Sequence, residues 1–377
     1  MSTTITLIGS LLALGYSLLI GFLTIGWFKK ARERSIHKTD FPSISIIIPF
    51  RNEASSLCSL IQNLKSQYYP TEKFEVLFSD DFSDDKSVDI ISQEIRELTN
   101  FHLIHSYDIN EPGKKASIER ALNKARGDVI VNTDADCNLG PGWLKSIACK
   151  FRDPELQMLL APVDIEYSTK SLFPKFQSLE FMSLMGVTGG SANMGYPVMA
   201  NGANMAIRKS KMLEARGKMR GRKLLSGDDM FLLQALKKLY PVKIKFLKNR
   251  KAIVKTKPTN TLKEFFIQRA RWSSKSTAYR DVFTIFTGVT VAAINIFIVL
   301  LIPGFLFNPE LLKPLAILWI IKLIVDFPIL AGVAGFMGKR RLLWLYVPLQ
   351  FLYPFYVTFT FIIAVFTRTN WKSRIQE

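Results

Sequence analysis

Two kinds of apolar patterning divide the chain. Residues 5–28 form an uncharged apolar run, and 282–307, 315–337 and 342–366 are three further runs of similar length; about 20 such residues suffice to cross a bilayer as a helix. Between the first run and the second, short apolar stretches at 44–49, 74–79, 101–105, 128–133, 158–163 and 242–247 alternate with helical patterns at 54–66, 87–98, 115–125, 143–151 and 230–238. Short strands separated by crossover helices predict an α/β domain with a mostly parallel sheet and helices on both faces. The expected boundaries are an anchor over 1–30, the α/β domain over 31–250, an interfacial helical segment over 251–281, and a C-terminal membrane region of two or three spans over 282–377. Residues 173–190, rich in Phe, Met and Ser, read as a core helix, with an amphipathic segment near the membrane as the alternative.

Flanking residues give the apolar runs a direction. No basic residue precedes 5–28 and no small-residue cleavage pattern follows it, while Lys29-Lys30-Ala31-Arg32-Glu33-Arg34 comes at once, so the run reads as a retained anchor rather than a signal peptide. Basic flanks stay in the cytoplasm, which predicts an outside N-terminus and an inside α/β domain. Lys339-Arg340-Arg341 then falls in a cytoplasmic loop as well. Parity sets Arg368, Lys372 and Arg374 outside, against the same rule, so the last run, with Pro348 and Pro354, is open between a span and a re-entrant or interfacial segment. Lys322 and Asp326 stand four apart on one face of a membrane run, either a functional pair or one that neutralises itself.

The net charge is +19, but the basic residues lie beside the membrane runs and among acidic clusters, not in an aromatic-interleaved stripe. That argues against nucleic acid and for anionic lipid headgroups and a small anionic substrate. Cys58, Cys137 and Cys149 show neither metal spacing nor pairing, as suits a reduced cytoplasmic domain.

Candidate chemistry sits at the carboxyl ends of the expected strands, where open sheets gather ligands. Asp134 and Asp136 follow the 128–133 strand and precede Gly140-Pro141-Gly142, so two carboxylates share one turn. Hard divalent cations take oxygen ligands and leave room for phosphate oxygens, so Mg2+ or Mn2+ bridging a diphosphate is the expected occupant. Asp80 and Asp81 end the 74–79 strand, placed to accept hydrogen bonds from a uracil imide or ribose hydroxyls, whereas Ser83, Asp84 and Asp85 read as helix caps. Gly113-Lys114-Lys115, after Glu111-Pro112, opens the next helix with ammonium groups at an N-terminus that favours anions. Ser226-Gly227-Asp228-Asp229 precedes an apolar helix. Adjacent carboxylates raise at least one pKa, which suits a general base, and Asp229 is the expected one with Asp228 beside it.

Taken in order, Pro49 with Asn52-Glu53, Asp80-Asp81, Gly113-Lys114, Asp134-Ala135-Asp136, Gly202-Ala203-Asn204-Met205-Ala206-Ile207-Arg208, Gly227-Asp228-Asp229 and Gln268-Arg269-Ala270-Arg271-Trp272 give the chain a resemblance to membrane-anchored family 2 glycosyltransferases. These have the inverting GT-A (Rossmann-like) fold, and the Gln-x-x-Arg-Trp motif is that of processive polysaccharide synthases. The resemblance implies a nucleotide-sugar donor, expected to be a UDP-sugar, bound by Pro49, Asn52, Glu53, Asp80, Asp81, Lys114, Asp134 and Arg271. It further implies a metal ligand at Asp136, an acceptor side lined by Gly202, Asn204, Gln268 and Trp272, and Asp229 and Asp228 as catalytic carboxylates. Implied partners are a growing glycan or lipid-linked acceptor, membrane lipids and glycan-export proteins. The implied location is the inner cell membrane, multi-pass, with the catalytic domain cytoplasmic. Two positions depart from the pattern: Phe82 follows the paired aspartates where a small residue is usual, and Asp228 stands where many relatives have Glu. The motif favours polymer synthesis, while one anchor and at most three later spans favour single transfer. The alternative from another class is an inactive nucleotide-sugar-binding scaffold of a glycan synthesis complex.

Overall fold

The structure is a computed structural model, and it describes residues 2–30, 41–106, 112–167, 171–218, 227–240, 243–366, 370–371 and 374–375. Arg32, Arg34, Glu111, Ser226, Val242, Arg368 and Lys372, all used in the sequence reading, lie outside the described residues. Along the chain run α1 (Ser2–Phe28), β1 (Ile44–Phe50), α2 (Ala54–Lys65), β2 (Phe74–Asp80), α3 (Ser87–Glu94), β3 (Phe101–Ile104), α4 (Lys114–Lys124), β4 (Val129–Asn132), β5 (Asn138–Leu139), α5 (Trp143–Phe151), β6 (Met158–Leu160), β7 (Val163–Ile165) and α6 (Leu172–Asn193). Then follow β8 (Met205–Arg208), α7 (Lys209–Lys218), α8 (Asp228–Leu239), β9 (Ile244–Phe246), β10 (Val254–Thr256), α9 (Leu262–Ser273), α10 (Val282–Phe307), α11 (Leu312–Met337), α12 (Tyr346–Phe366) and the short pair β11 (Asn370–Trp371) and β12 (Arg374–Ile375).

Two compact units emerge, neither continuous in sequence. The sheet unit is Lys30–Glu166 with Met199–Lys257, and the apolar unit is Met1–Lys29, Tyr167–Val198 and Pro258–Glu377. The unit boundaries therefore differ from the linear division read from the sequence, because α6 leaves the α/β segment to pack with α1 and α11.

In the sheet unit seven strands run β3-β2-β1-β4-β8-β6-β9. All neighbours are parallel except β8, which is antiparallel to β4 and to β6. Every residue of β1 and β4 is buried, as expected of central strands covered on both faces. The register pairs Ile47 with Asn132 and Phe50 with Asp80, so the carboxyl ends of β1, β2 and β4 form one edge, from which the segments carrying Asn52, Asp81 and Asp134 emerge. A second sheet, β5-β10-β7, holds the chain just after Asp136.

Two expectations need correction. The 158–163 run is not one strand: it divides into β6 and β7, which join different sheets, on either side of Pro162. Proline lacks the N–H a central strand must donate, so the ladder stops there. Residues 205–208, not among the expected strands, form β8, whose Met205–Arg208 pair with Asn132–Val129.

In the apolar unit, four helices are long and apolar enough to cross a membrane by length and composition: Thr4–Phe28, Val282–Phe307, Pro309–Met337 and Arg340–Ile363. The last run, left open by its prolines, is one helix. Pro348 falls in the first turn, where N–H groups lack intrahelical acceptors anyway, and Pro354 lies inside. Helices α1 and α6 approach so closely that a Cβ on Gly26 would strike the Gly190 backbone, and one on Gly190 the Leu23 backbone. Lys322, fully buried, donates to Asp326 Oδ2 at 2.5 Å and to the Tyr16 hydroxyl at 3.1 Å. Asp326 also accepts from Tyr16 at 2.6 Å and from Gln350 Nε2 at 3.1 Å. The pair is thus neutralised and hydrogen-bonded within the helices, the condition under which buried charge is tolerated.

Candidate active site

The sheet unit gathers its acidic clusters around the start of α4. Gly113, at φ 125, turns the chain into that helix in a conformation side chains rarely adopt. Its N–H donates to Asp81 Oδ1 at 2.6 Å, and Asp81 is 1% exposed. One residue on, Lys114 Nζ donates to Asp134 Oδ1 at 2.5 Å. The β2, β4 and α4 ends are thereby tied into one neighbourhood.

Asp136 lies deeper in the same turn, where Oδ2 accepts from the Thr256 hydroxyl at 3.3 Å and Oδ1 from the Cys137 thiol at 3.8 Å. Burial, followed by the charges of Asp134 and Glu53, pushes its carboxyl up, against the opposing pull of Lys114 and the Thr256 hydroxyl. A buried carboxylate pushed up by neighbouring negative charge in this way marks a place where a cation is favourable. Among the described residues no three His, Cys, Asp or Glu side chains form a complete cage. Asp136 with Asp134 instead matches the one or two carboxylates that Mg2+ or Mn2+ takes when substrate phosphates complete the shell.

The loop after β1 is stitched to the loop after β2. Asn52, held at φ 54, donates through Nδ2 to Asp84 Oδ1 at 2.7 Å and accepts the Asp84 N–H at 3.0 Å. Glu53 N–H donates to the Ser87 hydroxyl at 2.8 Å. Asp80 Oδ1 accepts the Ser83 N–H at 3.0 Å and the Asp80 carbonyl accepts from Arg120 at 2.5 Å. Asp85 accepts N–H bonds from Ser87 and Ala54; burial pushes its carboxyl up, but these bonds win and hold it below the usual range. Phe82, noted as an unusual residue after the aspartates, is held at φ 56, a position costly for a bulky side chain. Pro49 is buried inside β1.

Adjacent Asp228 and Asp229 have separate surroundings. Asp229, in the first turn of α8, accepts the Gly202 N–H on Oδ2 at 3.1 Å and the Met230 N–H on Oδ1 at 2.8 Å. Asp228 instead faces Lys115 of α4 at 3.9 Å and Arg216 of α7 at 3.7 Å. Burial pushes its carboxyl up, with Asp229 adding to this and Lys115 and Arg216 opposing it. The Lys114 charge reaches both Asp136 and Asp228, so one ammonium links the metal-type carboxylates with the paired ones.

Asn204, expected on the acceptor side, is 1% exposed, and its amide is spent within the protein. Nδ2 donates to the Pro162 carbonyl at 2.7 Å and the Ala252 carbonyl at 2.9 Å, while Oδ1 accepts from Trp143 Nε1 at 3.0 Å. With both donors and the oxygen engaged, it fastens β8 to α5 and the segments before β7 and β10. Gly202 sits beside Asp229 as described. Gln268, Arg271 and Trp272 lie on α9, in the apolar unit. Arg216 and Thr256 escaped the sequence reading: neither belongs to a motif, and each meets its carboxylate only through folding.

Comparison with known proteins defines the class first. Residues 45–217, just under half of the chain, match the glycosyl transferase family 2 model. The match runs from β1 to the end of α7, stopping before Asp228 and before the 268–272 motif. A mannosyltransferase from Pyrobaculum calidifontis, solved in complex with GDP-Man and Mn2+, shares the fold over 97% of this chain and 98% of its own, with a TM-score of 0.58 and 17% identity. The fold is therefore GT-A-like, with apolar helices at both ends.

Among particular relatives, a beta-monoglucosyldiacylglycerol synthase of Trichormus variabilis is 26% identical over 179 residues, 47% of this chain and 38% of that protein. A probable glycosyltransferase of Bacillus subtilis, YdaM, is 23% identical over 264 residues, 67% of this chain and 61% of its own length. The chain thus matches well under half of the Trichormus relative.

Proposed function

We propose that this protein is a membrane-bound inverting glycosyltransferase that moves a sugar from a nucleotide-diphosphate sugar, a UDP-sugar by our reading, to a hydroxyl of a lipid-linked or growing glycan acceptor. The observation that carries the proposal is the junction at Gly113 and Lys114, where Asp81, Asp134, Asp136 and Asp228 are linked by hydrogen bonds and charge. A site of that kind suits a ligand combining hydrogen-bonding base and ribose with a diphosphate.

In this reading Pro49, Asn52 and Glu53 shape the donor side together with Asp80 and Asp81, which hold the base and ribose. A divalent cation on Asp136, Mg2+ or Mn2+, would supply charge stabilisation for the diphosphate. Lys114, exchanging its bond to Asp134 for phosphate oxygens, and Arg271 would add positive charge on the leaving side. Asp229 takes the proton from the attacking hydroxyl; its two backbone donors, from Gly202 and Met230, fix its orientation for that task. Gln268 and Trp272 would hold the acceptor, the indole offering a flat face to a sugar ring. The four apolar helices support a membrane location, with the sheet unit facing the cytoplasm as the basic flanks suggest. The name of the Trichormus relative favours a lipid acceptor over a long polymer.

The direct test is a panel of nucleotide sugars incubated with purified protein, with and without manganese, scored by release of free nucleotide diphosphate. Manganese-dependent release from one donor supports the reading. No release from any donor, with the protein folded, removes it.

A further inference from the structure

The motif helix α9 carries a charged residue between Gln268 and Trp272 to which no role was given. Arg269 is 4% exposed and forms a two-pronged bond with Glu180 of α6: Nη2 to Oε2 at 2.6 Å and Nε to Oε1 at 3.2 Å. The Tyr356 hydroxyl of α12 donates to the same Glu180 Oε1 at 2.8 Å. The third prong points along α9, where Nη1 donates to Gln268 Oε1 at 2.5 Å. The guanidinium also lies over two rings of its own helix, Phe265 at 4.4 Å and Trp272 at 4.3 Å. Spacings of four and three residues put Phe265, Arg269 and Trp272 on one stripe, and Phe181 of α6 flanks the indole at 6.1 Å.

This arrangement has chemical consequences for both motif residues. Arginine offers only donors, so the Gln268 atom facing it is the carbonyl oxygen and the amide NH2 is turned the other way. Gln268 therefore presents donors, suited to a hydroxyl or ring oxygen. The indole is held by the guanidinium over its ring and by Phe181 beside it, so its orientation depends on Arg269. Three helices set these orientations through a single planar cation, whose fork a lysine cannot reproduce.

We propose that Arg269 is a positioning residue for the acceptor, holding the Gln268 amide and the Trp272 ring in place and keying them to α6 and α12 through Glu180 and Tyr356. The inference rests on the proposed role of Gln268 and Trp272 at the acceptor.

Its test uses the full chain in detergent micelles labelled with 5-fluorotryptophan. The 19F line of Trp272 is assigned by its loss in Trp272→Phe and followed in Arg269→Lys and in the milder Tyr356→Phe, which keeps the ring and removes only the hydroxyl. Both variants shift and broaden that line while those of Trp27, Trp143, Trp319 and Trp344 stay in place. In parallel, transfer of labelled sugar into vesicles of phosphatidylglycerol and diacylglycerol falls about tenfold in Arg269→Lys, the loss expected from one misplaced stacking contact. The KM for the donor is unchanged. Combining Arg269→Lys with Trp272→Ala gives no further loss beyond Trp272→Ala alone, because both act through one ring. Should Arg269→Lys fail to fold, Tyr356→Phe carries both measurements. An unmoved Trp272 line, or a moved line with wild-type transfer, overturns the inference. Wild-type transfer by Trp272→Ala, or no labelled lipid from the wild-type protein, counts instead against the acceptor reading itself.

Discussion

Replacing Asn204 by alanine separates a structural pin from a substrate contact. The change removes three buried hydrogen bonds at once. The Trp143 indole, fully buried, has a single N–H and loses its acceptor, at a cost of about 1–3 kcal/mol. The Ala252 carbonyl loses its side-chain donor, whereas the Pro162 carbonyl keeps the Val254 N–H at 3.0 Å and suffers less. With the lost side-chain volume, the sum is roughly 3–5 kcal/mol. At about 2–4 °C per kcal/mol for a unit of this size, the melting temperature falls by on the order of 10 °C. Thermal unfolding of the purified variant in detergent measures that shift, and donor hydrolysis well below the transition reports on the surviving site. A melting temperature within about 2 °C of wild type, accompanied by loss of transfer, would place Asn204 against substrate and refute the reasoning.

Other outcomes follow from the same structure. The Asp228 carboxyl is pushed up, so the folded state holds its proton more tightly than the unfolded chain, and the charged form costs stability as pH rises above the ordinary carboxylate range. Asp228→Asn is expected to melt no lower than wild type at neutral pH, the difference closing as pH falls into that range. A lower melting temperature at neutral pH would mean that attraction to Lys115 and Arg216 outweighs burial. Gly26→Leu is expected to cost ~1–3 kcal/mol or more by forcing α1 from α6, read as a lowered unfolding midpoint. Gly15→Leu on the same helix, where a Cβ meets nothing within 4 Å, serves as the neutral control, and equal effects of the two would contradict the packing.

Long elements were legible because their apolar period is long: the runs ending at Phe28, Phe307, Met337 and Phe366 each became one helix, and the buried strands β1, β2 and β4 were bounded to within a residue or two. Short ones were not. β5, β7, β8 and β10 have two to four residues each, too few for a period of two to show, and β8 follows a Gly- and Asn-rich stretch that reads as loop. The aspartates at strand ends were visible as residue types, but their linkage through Gly113 and Lys114 depends on a crossover geometry. The least legible features pair residues far apart in the chain. Glu180 meets Arg269 across 89 positions, and Asn204 reaches Trp143 across 61. No local pattern separates such a buried amide or carboxylate from one that faces a ligand.

The central claim is that Asp136 holds a cation which helps bind a nucleotide diphosphate, while Asp229 acts on the acceptor. Titration of UDP into the full chain in detergent, with and without Mn2+, tests it most directly. Wild-type protein and Asp229→Asn should bind UDP with the same manganese dependence, and Asp136→Asn should lose about tenfold or more in affinity, at 1.4 kcal/mol per factor of ten. Binding of UDP that is equal with and without manganese and indifferent to Asp136→Asn would contradict the account.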